Sequence, residues 1–336
     1  MPSIRSLSSV ALATAAIGAT AALSACGSAS SDATGSTQKA LSAAKPTAVT
    51  VGVPGLLLNA DIFMAEQTGA FTDSGLSVKN QIISAGTNAV PQLLNGAMQF
   101  GVVDTSTAII AAQQGVGIAV VAPLAVGSAD DRGFGGVIAG AKSGIAKPAD
   151  LVGKKVAVNQ LNGTSQTLLT AALKKQGADA SKVHYVEVAP EQTIGALKSG
   201  RVDAAVTGEP LISMALGMGM KYVLNQEQDT VAGSSTFVFV AAKSYIKSHP
   251  AAVAAFSKAI TQANAAANAD AAGVKQIMVK MDKVPAPLAP SVAVPTFGTS
   301  PVSAKDIQTT IDLMVANGQL PADKAPKPES VLAAAS

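Results

Sequence analysis

The sequence has few of the side chains that build common catalytic or metal sites. Its 336 residues include one Cys, two His and no Trp, and only 3% of them are aromatic. A single Cys excludes a disulfide framework and any multi-cysteine zinc or iron–sulfur site, and two His leave little scope for a metal cluster. Lys and Arg number 24 against 21 Asp and Glu, so no basic surface for nucleic acid is indicated. We expect no metal, no cofactor and no nucleic-acid partner.

The sequence is rich in apolar residues, which make up 48% of the chain, whereas charged residues make up 13%. A chain of this length and hydrophobicity buries a large core and is not disordered. Its length allows about two domains.

The first 25 residues are typical of an export signal. Arg5 supplies the positive charge, and residues 10–23 form an apolar run made largely of Ala. The run is too short and too weakly apolar for a membrane span, which needs about 20 residues. Residues 23–27 (LSACG) resemble a bacterial lipobox, and this resemblance implies that Cys26 becomes the first mature residue and carries a lipid. The alternative is an ordinary secretory signal that happens to contain a Cys.

Residues 26–46 read as a flexible tether, because Ser, Ala, Gly and Thr dominate them and cannot bury enough surface to fold. We expect the folded part to begin near Thr47. No later stretch of the sequence is long and apolar enough to cross a bilayer.

The folded part alternates strand and helix patterns twice, which predicts two α/β units with parallel sheets and covering helices. The first unit covers residues 47–135, and the second covers 136–240. Residues 136–139 and 236–240 are placed to cross between the units. Residues 241–321 read as helices that return to the first unit, and residues 322–336 as a tail.

In such sheets, ligands bind beyond the carboxyl ends of strands, where helix N-termini offer unpaired N–H groups. Small polar residues stand at four strand-to-helix junctions, near positions 86–88, 104–106, 162–165 and 207–210. Each junction also has a purely structural interpretation, since Ser, Thr, Asn and Asp are ordinary helix caps. Four junctions divided between two units favour a shared cleft for a small polar or anionic solute.

Charged candidates for ligand contact are few. Arg132 follows a strand end and could meet an acidic ligand group, and Glu209 could receive an amine or a ring N–H. The alternative role of Glu209 is a favourable charge in the first turn of a helix. His184 and His249 are better explained as structural or surface residues. The sequence contains no G-x-S-x-G, no phosphate loop and no H-E-x-x-H, so we expect no enzyme.

Several segments are similar to one family of transport proteins. Residues 60–78 (ADIFMAEQTGAFTDSGLSV) resemble the opening of bacterial ABC-transporter substrate-binding proteins of the sulfonate, nitrate and taurine branch, which also includes binders of thiamine-precursor pyrimidines. The resemblance continues through residues 84–101, 150–158, 196–210 and 245–250 in the expected order. A eukaryotic pyrimidine-synthase branch is also related, but this chain lacks the Cys-rich signature and His residues that its iron chemistry needs.

The resemblance implies a type II periplasmic-binding-protein fold, in which two α/β lobes joined by two hinge strands close over a ligand. The partners would be a membrane permease and its cytoplasmic ATPase, and the protein would be a monomer anchored by lipidated Cys26 at the extracytoplasmic face of the cell membrane. Together, the junctions, the charged candidates and the resemblance give these ligand-binding candidates: Leu57, Asn59, Gly86, Thr87, Asn88, Asp104, Thr105, Ser106, Arg132, Asn162, Gly163, Thr164, Ser165 and Glu209.

The ligand class is inferred from the chemistry of these loops. They contain hydroxyl and amide groups and no aromatic residue, which fits a small oxyanion such as a sulfonate, nitrate or taurine. A pyrimidine precursor of thiamine is the alternative within the class. A surface enzyme and a structural or sensory lipoprotein are the alternatives outside it.

Overall fold

The computed structural model describes residues 41–42, 45–54, 59–83, 86–281 and 284–334. The export signal, Cys26, most of the expected tether and Leu57 lie outside these residues.

The strands of the described residues form two sheets. Their bounds are β1 Thr47–Pro54, β2 Leu76–Ile83, β3 Phe100–Asp104, β4 Ile118–Val126, β5 Gly135–Ala139, β6 Lys155–Val158, β7 His184–Glu187, β8 Ala204–Gly208, β9 Lys221–Leu224, β10 Ser235–Ala242 and β11 Thr296–Phe297.

Helices cover both sheets. They are α1 Ala60–Gln67, α2 Ala70–Asp73, α3 Ala89–Leu94, α4 Thr105–Gln113, α5 Thr164–Lys175, α6 Thr193–Ser199, α7 Leu211–Gly217, α8 Lys243–Ser248, α9 Pro250–Ala269, α10 Ala271–Met281, α11 Ala304–Ala316 and α12 Pro328–Val331. No helix within the described ranges has both the length and the hydropathy needed to cross a membrane.

The two sheets repeat one strand order. From edge to edge, the first sheet runs β2-β1-β3-β10-β4-β11, and the second runs β7-β6-β8-β5-β9 in the matching positions, with no counterpart of β11 among the described strands. In each sheet the strand that arrives from the other sheet is antiparallel to its neighbours: β10 in the first, β5 in the second. The expectation of parallel sheets is therefore wrong at these two strands and at β11, which runs antiparallel to β4. A chain that enters a sheet from its carboxyl edge must run against the strands that end there.

The two crossings between the sheets are irregular segments, residues 127–134 and 225–234. The stretches 136–139 and 236–240, expected to cross, instead lie inside strands β5 and β10, each within one sheet. The crossings touch each other where Gly127 pairs with Ala232. Because the two crossing segments run side by side with little regular pairing, this region can act as a hinge between two lobes.

Lobe 1 consists of the first sheet and its helices. Helix α9 buries Phe256, whose ring stacks on that of Phe100 of β3 with centroids 3.8 Å apart. Phe256 and Ile260 are four residues apart in an Ala-rich helix, so both lie on the face that packs against the sheet. The other face of the sheet packs against α4 and α11.

Lobe 2 consists of the second sheet and helices α5 to α7. Leu169 and Leu173 of α5 pack on one face of the sheet with Val156. Ile212 of α7 and Leu197 of α6 pack on the other face. Both sheets are thus covered on two sides, which explains the near-continuous apolar runs of their strands.

The two ends of the described chain pack onto lobe 1. Leu41, within the expected tether, packs against the core of the first sheet, so the ordered chain begins before Thr47. At the other end, Val331 is buried and Leu332 pairs with Val120 of β4. The described residues of the expected tail therefore belong to lobe 1, because their apolar side chains pack against its core.

Candidate functional site

A cavity of about 190 Å³ lies between the carboxyl edges of the two sheets. Its volume is below the roughly 300–1,000 Å³ of sites for drug-sized ligands, which limits the occupant to a small solute. Residues of both lobes and of both crossings line it: Pro54, Gly86, Val102, Val103, Asp104, Phe134, Gly135, Ala157, Val158, Asn159, Gln160, Gly163, Thr164, Ser165, Leu168, Val188, Pro190, Thr193, Val206, Thr207, Gly208, Glu209, Gln226, Glu227 and Phe237.

On the lobe 1 side, Asp104 ends β3 and caps α4. Its Oδ1 accepts hydrogen bonds from the Thr107 backbone N–H at 2.9 Å and the Ser106 hydroxyl at 2.6 Å. Its Oδ2 accepts one from the Thr107 hydroxyl at 3.0 Å. The carboxylate therefore compensates the N-terminus of α4 itself, which leaves that helix end unattractive to a second anion.

On the lobe 2 side, α5 begins with no side-chain cap. Its N-cap is Gly163, and Thr164 and Ser165 of its first turn line the cavity. The positive end of this 12-residue helix therefore points its unpaired N–H groups toward the cavity without a compensating carboxylate of its own.

The two helix ends are joined across the cleft. The Thr164 hydroxyl donates to Oδ1 of Asp104 at 3.0 Å, and it lies 3.0 Å from the Ser106 hydroxyl. Farther along α5, Asn317 donates through Nδ2 to the backbone carbonyl of Thr167 at 2.9 Å. These bonds connect lobe 1 with lobe 2, so the structure is a closed conformation.

Glu209 is fully buried at the end of β8 and is held by four donors. Arg132 of the first crossing donates to its Oε1 at 2.9 Å, as does the Ser213 hydroxyl at 3.0 Å. The Ser213 backbone N–H reaches Oε2 at 2.9 Å, and the backbone N–H of Ala293 in lobe 1 reaches Oε1 at 3.2 Å. Glu209 thus ties β8, the first crossing and lobe 1 together.

Among the carboxylates that line the cavity, that of Glu227 in the second crossing accepts the fewest hydrogen bonds. Its Oε2 accepts a hydrogen bond from the Ser128 backbone N–H at 3.0 Å, and its Oε1 has no donor among the described residues. Burial raises the pKa of Glu227 above its ordinary value, and the Ser128 N–H opposes that shift. Beside it, Gln226 is 4% exposed, and its amide oxygen has no donor within the described part of the chain.

The charges around the cavity are of one sign. The lining includes Asp104, Glu209 and Glu227, and none of the described lining residues is Lys, Arg or His. Arg132 lies outside the lining and its guanidinium is paired with Glu209. Asp104 and Glu227 therefore place negative charge on the lobe 1 and hinge sides of the cavity, opposite the positive N-terminus of α5, whereas Arg132 balances the charge of Glu209.

Two aromatic side chains also reach the cavity. Phe134 belongs to the first crossing and Phe237 to the start of β10, and both are partly buried. The candidate loops contain no aromatic residue, but the hinge region brings these two rings to the site.

Six of the predicted residues line the cavity: Gly86, Asp104, Gly163, Thr164, Ser165 and Glu209. The others in the described chain do not: Asn59, Thr87, Asn88, Thr105, Ser106, Arg132 and Asn162. Thr105 is buried and donates to the Ser235 carbonyl at 2.7 Å, which anchors β10. Ser106 and Arg132 instead act on residues that do line the site, Thr164 and Glu209.

Sequence reasoning missed the residues contributed by the crossings. Gln226 and Glu227 lie two and three residues after the end of β9, so the rule that ligands meet the carboxyl ends of strands applies to them as well. Thr193 opens α6 after β7 and is another junction of the kind sought. Gln226 and Glu227 follow a strand that leads out of lobe 2 and not into a helix, so they lie at no strand-to-helix junction.

Comparison with known proteins identifies the family. The family model described as NMT1/THI5 like matches residues 59–272. The taurine-binding periplasmic protein of Escherichia coli K12 is 32% identical over 205 residues. The aligned part covers 61% of this chain and 61% of that relative, so less than two thirds of the relative's length is matched.

Solved structures share the fold at low sequence identity. The alkanesulfonate-binding protein SsuA from Xanthomonas axonopodis pv. citri, bound to MOPS, superposes with a TM-score of 0.72 at 19% identity, covering 85% of this chain and 98% of that one. The nitrate-binding protein NrtA from Synechocystis PCC 6803 gives 0.67 at 16% identity, covering 85% and 87%. The expected two-lobe architecture is confirmed, and the chain belongs to the NMT1/THI5-like family with the fold of periplasmic binding proteins.

Proposed function

We propose that this protein is the extracytoplasmic solute-binding component of an ABC importer. It captures a small oxyanionic solute of the sulfonate, nitrate or taurine type by hinge closure and delivers it to a permease. The observation that carries the proposal is a cavity walled by both lobes, because a site divided in this way encloses its ligand when the lobes close about a hinge. The family and the taurine-binding relative support the same role.

The oxyanion is placed at the N-terminus of α5. The backbone N–H groups of its first turn are the donors that suit sulfonate or carboxylate oxygens, since the hydroxyls of Thr164 and Ser165 already donate to Asp104 and Asn159. Thr164 also bonds to Asp104 of lobe 1. A solute at this helix end therefore contacts the residue that joins the lobes, which links binding to closure.

Phe134 and Phe237 favour a second candidate, a pyrimidine precursor of thiamine. A flat ring gains free energy from contact with aromatic faces, and both side chains stand at the cavity wall. The acceptor oxygens of Gln226 and Glu227 would suit the exocyclic amine of such a ring.

The proposal extends to the location and partners of the protein. Cys26 carries the lipid that holds the chain at the extracytoplasmic face of the cell membrane. The folded part works as a monomer that docks on a permease with a cytoplasmic ATPase. It performs no chemical reaction on the solute.

Ligand-induced thermal stabilisation tests the proposal. The purified protein is heated with one solute at a time: taurine, an alkanesulfonate, nitrate, or the aminopyrimidine that is the thiamine precursor. A solute present at 100 times its Kd stabilises the folded state by about 2.7 kcal/mol, which raises the Tm measurably. No shift with any of these solutes contradicts the proposed function, and chemical conversion of a bound solute contradicts the statement that the protein is not an enzyme.

A further inference from the structure

We propose that the cavity selects a solute that carries a protonated amine, and that Glu227 and Gln226 of the second crossing receive this group. The inference rests on the proposed function and narrows it. Of the sulfonate, nitrate and taurine types, it favours the amino sulfonate and disfavours solutes that carry only negative charge.

Two residues that line the cavity each have an acceptor oxygen with no hydrogen-bond donor in the described part of the chain. Oε1 of Glu227 and the buried amide oxygen of Gln226 are acceptors without a donor among the described residues. An unpaired buried acceptor is costly, and an ammonium group offers three donors. Rotation of the Gln226 amide exchanges its oxygen and nitrogen, so the acceptor can be turned toward the ligand.

Of the three described carboxylates that line the cavity, Glu227 is the one available to receive an ammonium group. Asp104 already accepts hydrogen bonds from Ser106, Thr107 and Thr164. Glu209 is compensated by Arg132 and by further donors around it. Glu227 has a single backbone donor and no cationic partner among the described residues, so a bound ammonium group would stabilise the ionised carboxylate that burial alone disfavours.

Hydrogen bonds to both crossings hold Glu227 in place. The Asn225 amide donates to the Asp130 carbonyl at 2.8 Å, and its oxygen accepts from the Glu227 backbone N–H at 2.9 Å. Ser128 of the first crossing holds the carboxylate itself. Glu227 therefore stands where both crossings meet, and an amine bound to it contacts the hinge while the anionic group contacts α5.

The experiment compares two solutes that differ at one group. Taurine carries an ammonium where isethionate carries a hydroxyl, and both carry the same sulfonate. Calorimetry on the protein freed of bound solute gives the Kd of each, with nitrate as a third probe. We expect taurine to bind at least about tenfold more tightly than isethionate, the size of effect expected for a hydrogen bond between charged groups.

Substitution identifies the residue responsible. Glu227→Gln keeps the acceptor for Ser128 but removes the charge, and we expect the preference for taurine to fall by about tenfold while the Kd of isethionate changes little. Glu329→Gln removes an exposed carboxylate on α12 and serves as the matched control, with the preference retained. The comparison of taurine with isethionate in the unaltered protein needs no variant, so it stands even if Glu227→Gln does not fold.

The outcomes separate the inference from the proposed function. Equal binding of taurine and isethionate, tighter binding of nitrate, binding of the aminopyrimidine alone, or an unchanged preference in Glu227→Gln overturns the inference and leaves solute capture intact. Binding of none of these solutes contradicts the proposed function and the inference together.

Discussion

Glu209 is a buried carboxylate whose charge is balanced by residues of three different segments. Arg132 belongs to the first crossing, Ser213 to α7 and Ala293 to the loop before β11. Both charged members of this network were predicted as direct ligand contacts, because the sequence places each near a strand end. The sequence does not reveal that the two would pair, since they are 77 positions apart.

Replacement of Arg132 tests this pairing. Arg132→Ala leaves Glu209 buried with only its neutral donors, and we expect the free energy of unfolding to fall by about 1–3 kcal/mol. The guanidinium is partly exposed, which favours the lower part of that range. Denaturant unfolding measures the change, with Arg201→Ala at an exposed position as the control, expected within about 0.5 kcal/mol. Equal effects of the two substitutions would contradict the account of Glu209.

Asp61 predicts a pH dependence of stability. It is fully buried in the first turn of α1, neither carboxylate oxygen has a hydrogen-bond partner among the described residues, and burial raises its pKa from 3.8 to about 8. Between these values the unfolded chain has lost the proton that the folded chain keeps, so stability falls as pH rises, by up to about 1.4 kcal/mol per pH unit.

Asp61→Asn removes this titration. We expect the variant to gain stability relative to the unaltered protein as pH increases from 5 to 7, by about 2–3 kcal/mol, in denaturant unfolding at each pH. Asp323→Asn changes an exposed carboxylate and provides the control, with no such trend. A constant difference between Asp61→Asn and the unaltered protein across this range would show that Asp61 is ionised in the folded state.

At the scale of elements, local sequence patterns identify most strands and helices, while pairing over long distances escapes them. The pattern of residues 76–83 predicts a strand, and β2 occupies those residues; α6 ends at Ser199, and its C-cap is Gly200, whose φ of 72° suits glycine. The direction of β5 and β10 depends on how the chain returns between lobes, which no local pattern encodes. Local patterns do not predict the short elements α2 and β11, because four and two residues are too few to show a period.

Gly136 of β5 shows how closely the second sheet is packed. A Cβ at this position would overlap the ring of Tyr222 on β9, whose hydroxyl donates to the Gly135 carbonyl at 3.0 Å. We expect Gly136→Ala to destabilise the protein by about 1–3 kcal/mol in denaturant unfolding, because the ring or the strand must shift.

Gly195→Ala is the matched control for Gly136→Ala. Gly195 lies inside α6, and a Cβ there has open space. Ala is favoured over Gly in a helix by about 0.5–1 kcal/mol, so this variant should be more stable. A destabilised Gly195→Ala, or a neutral Gly136→Ala, would show that the space around these two positions is not as described.

At the scale of the whole molecule, the two lobes repeat one plan and differ in what they bring to the cavity. Lobe 2 supplies the uncapped N-terminus of α5, whereas lobe 1 supplies Asp104, and the second crossing supplies Glu227. The sequence predicted the two lobes and the helix ends. It could not predict the acidic and aromatic residues of the crossings, because their role depends on where two irregular segments meet in space.

Small-angle X-ray scattering with and without a bound solute tests whether the two lobes close to enclose it. The solute is one for which calorimetry has established binding, at a concentration that saturates the protein. The account predicts a smaller radius of gyration with the solute, since the bonds from Thr164 to Asp104 and from Asn317 to Thr167 form only when the lobes meet. Identical scattering curves for the free and the saturated protein would contradict it.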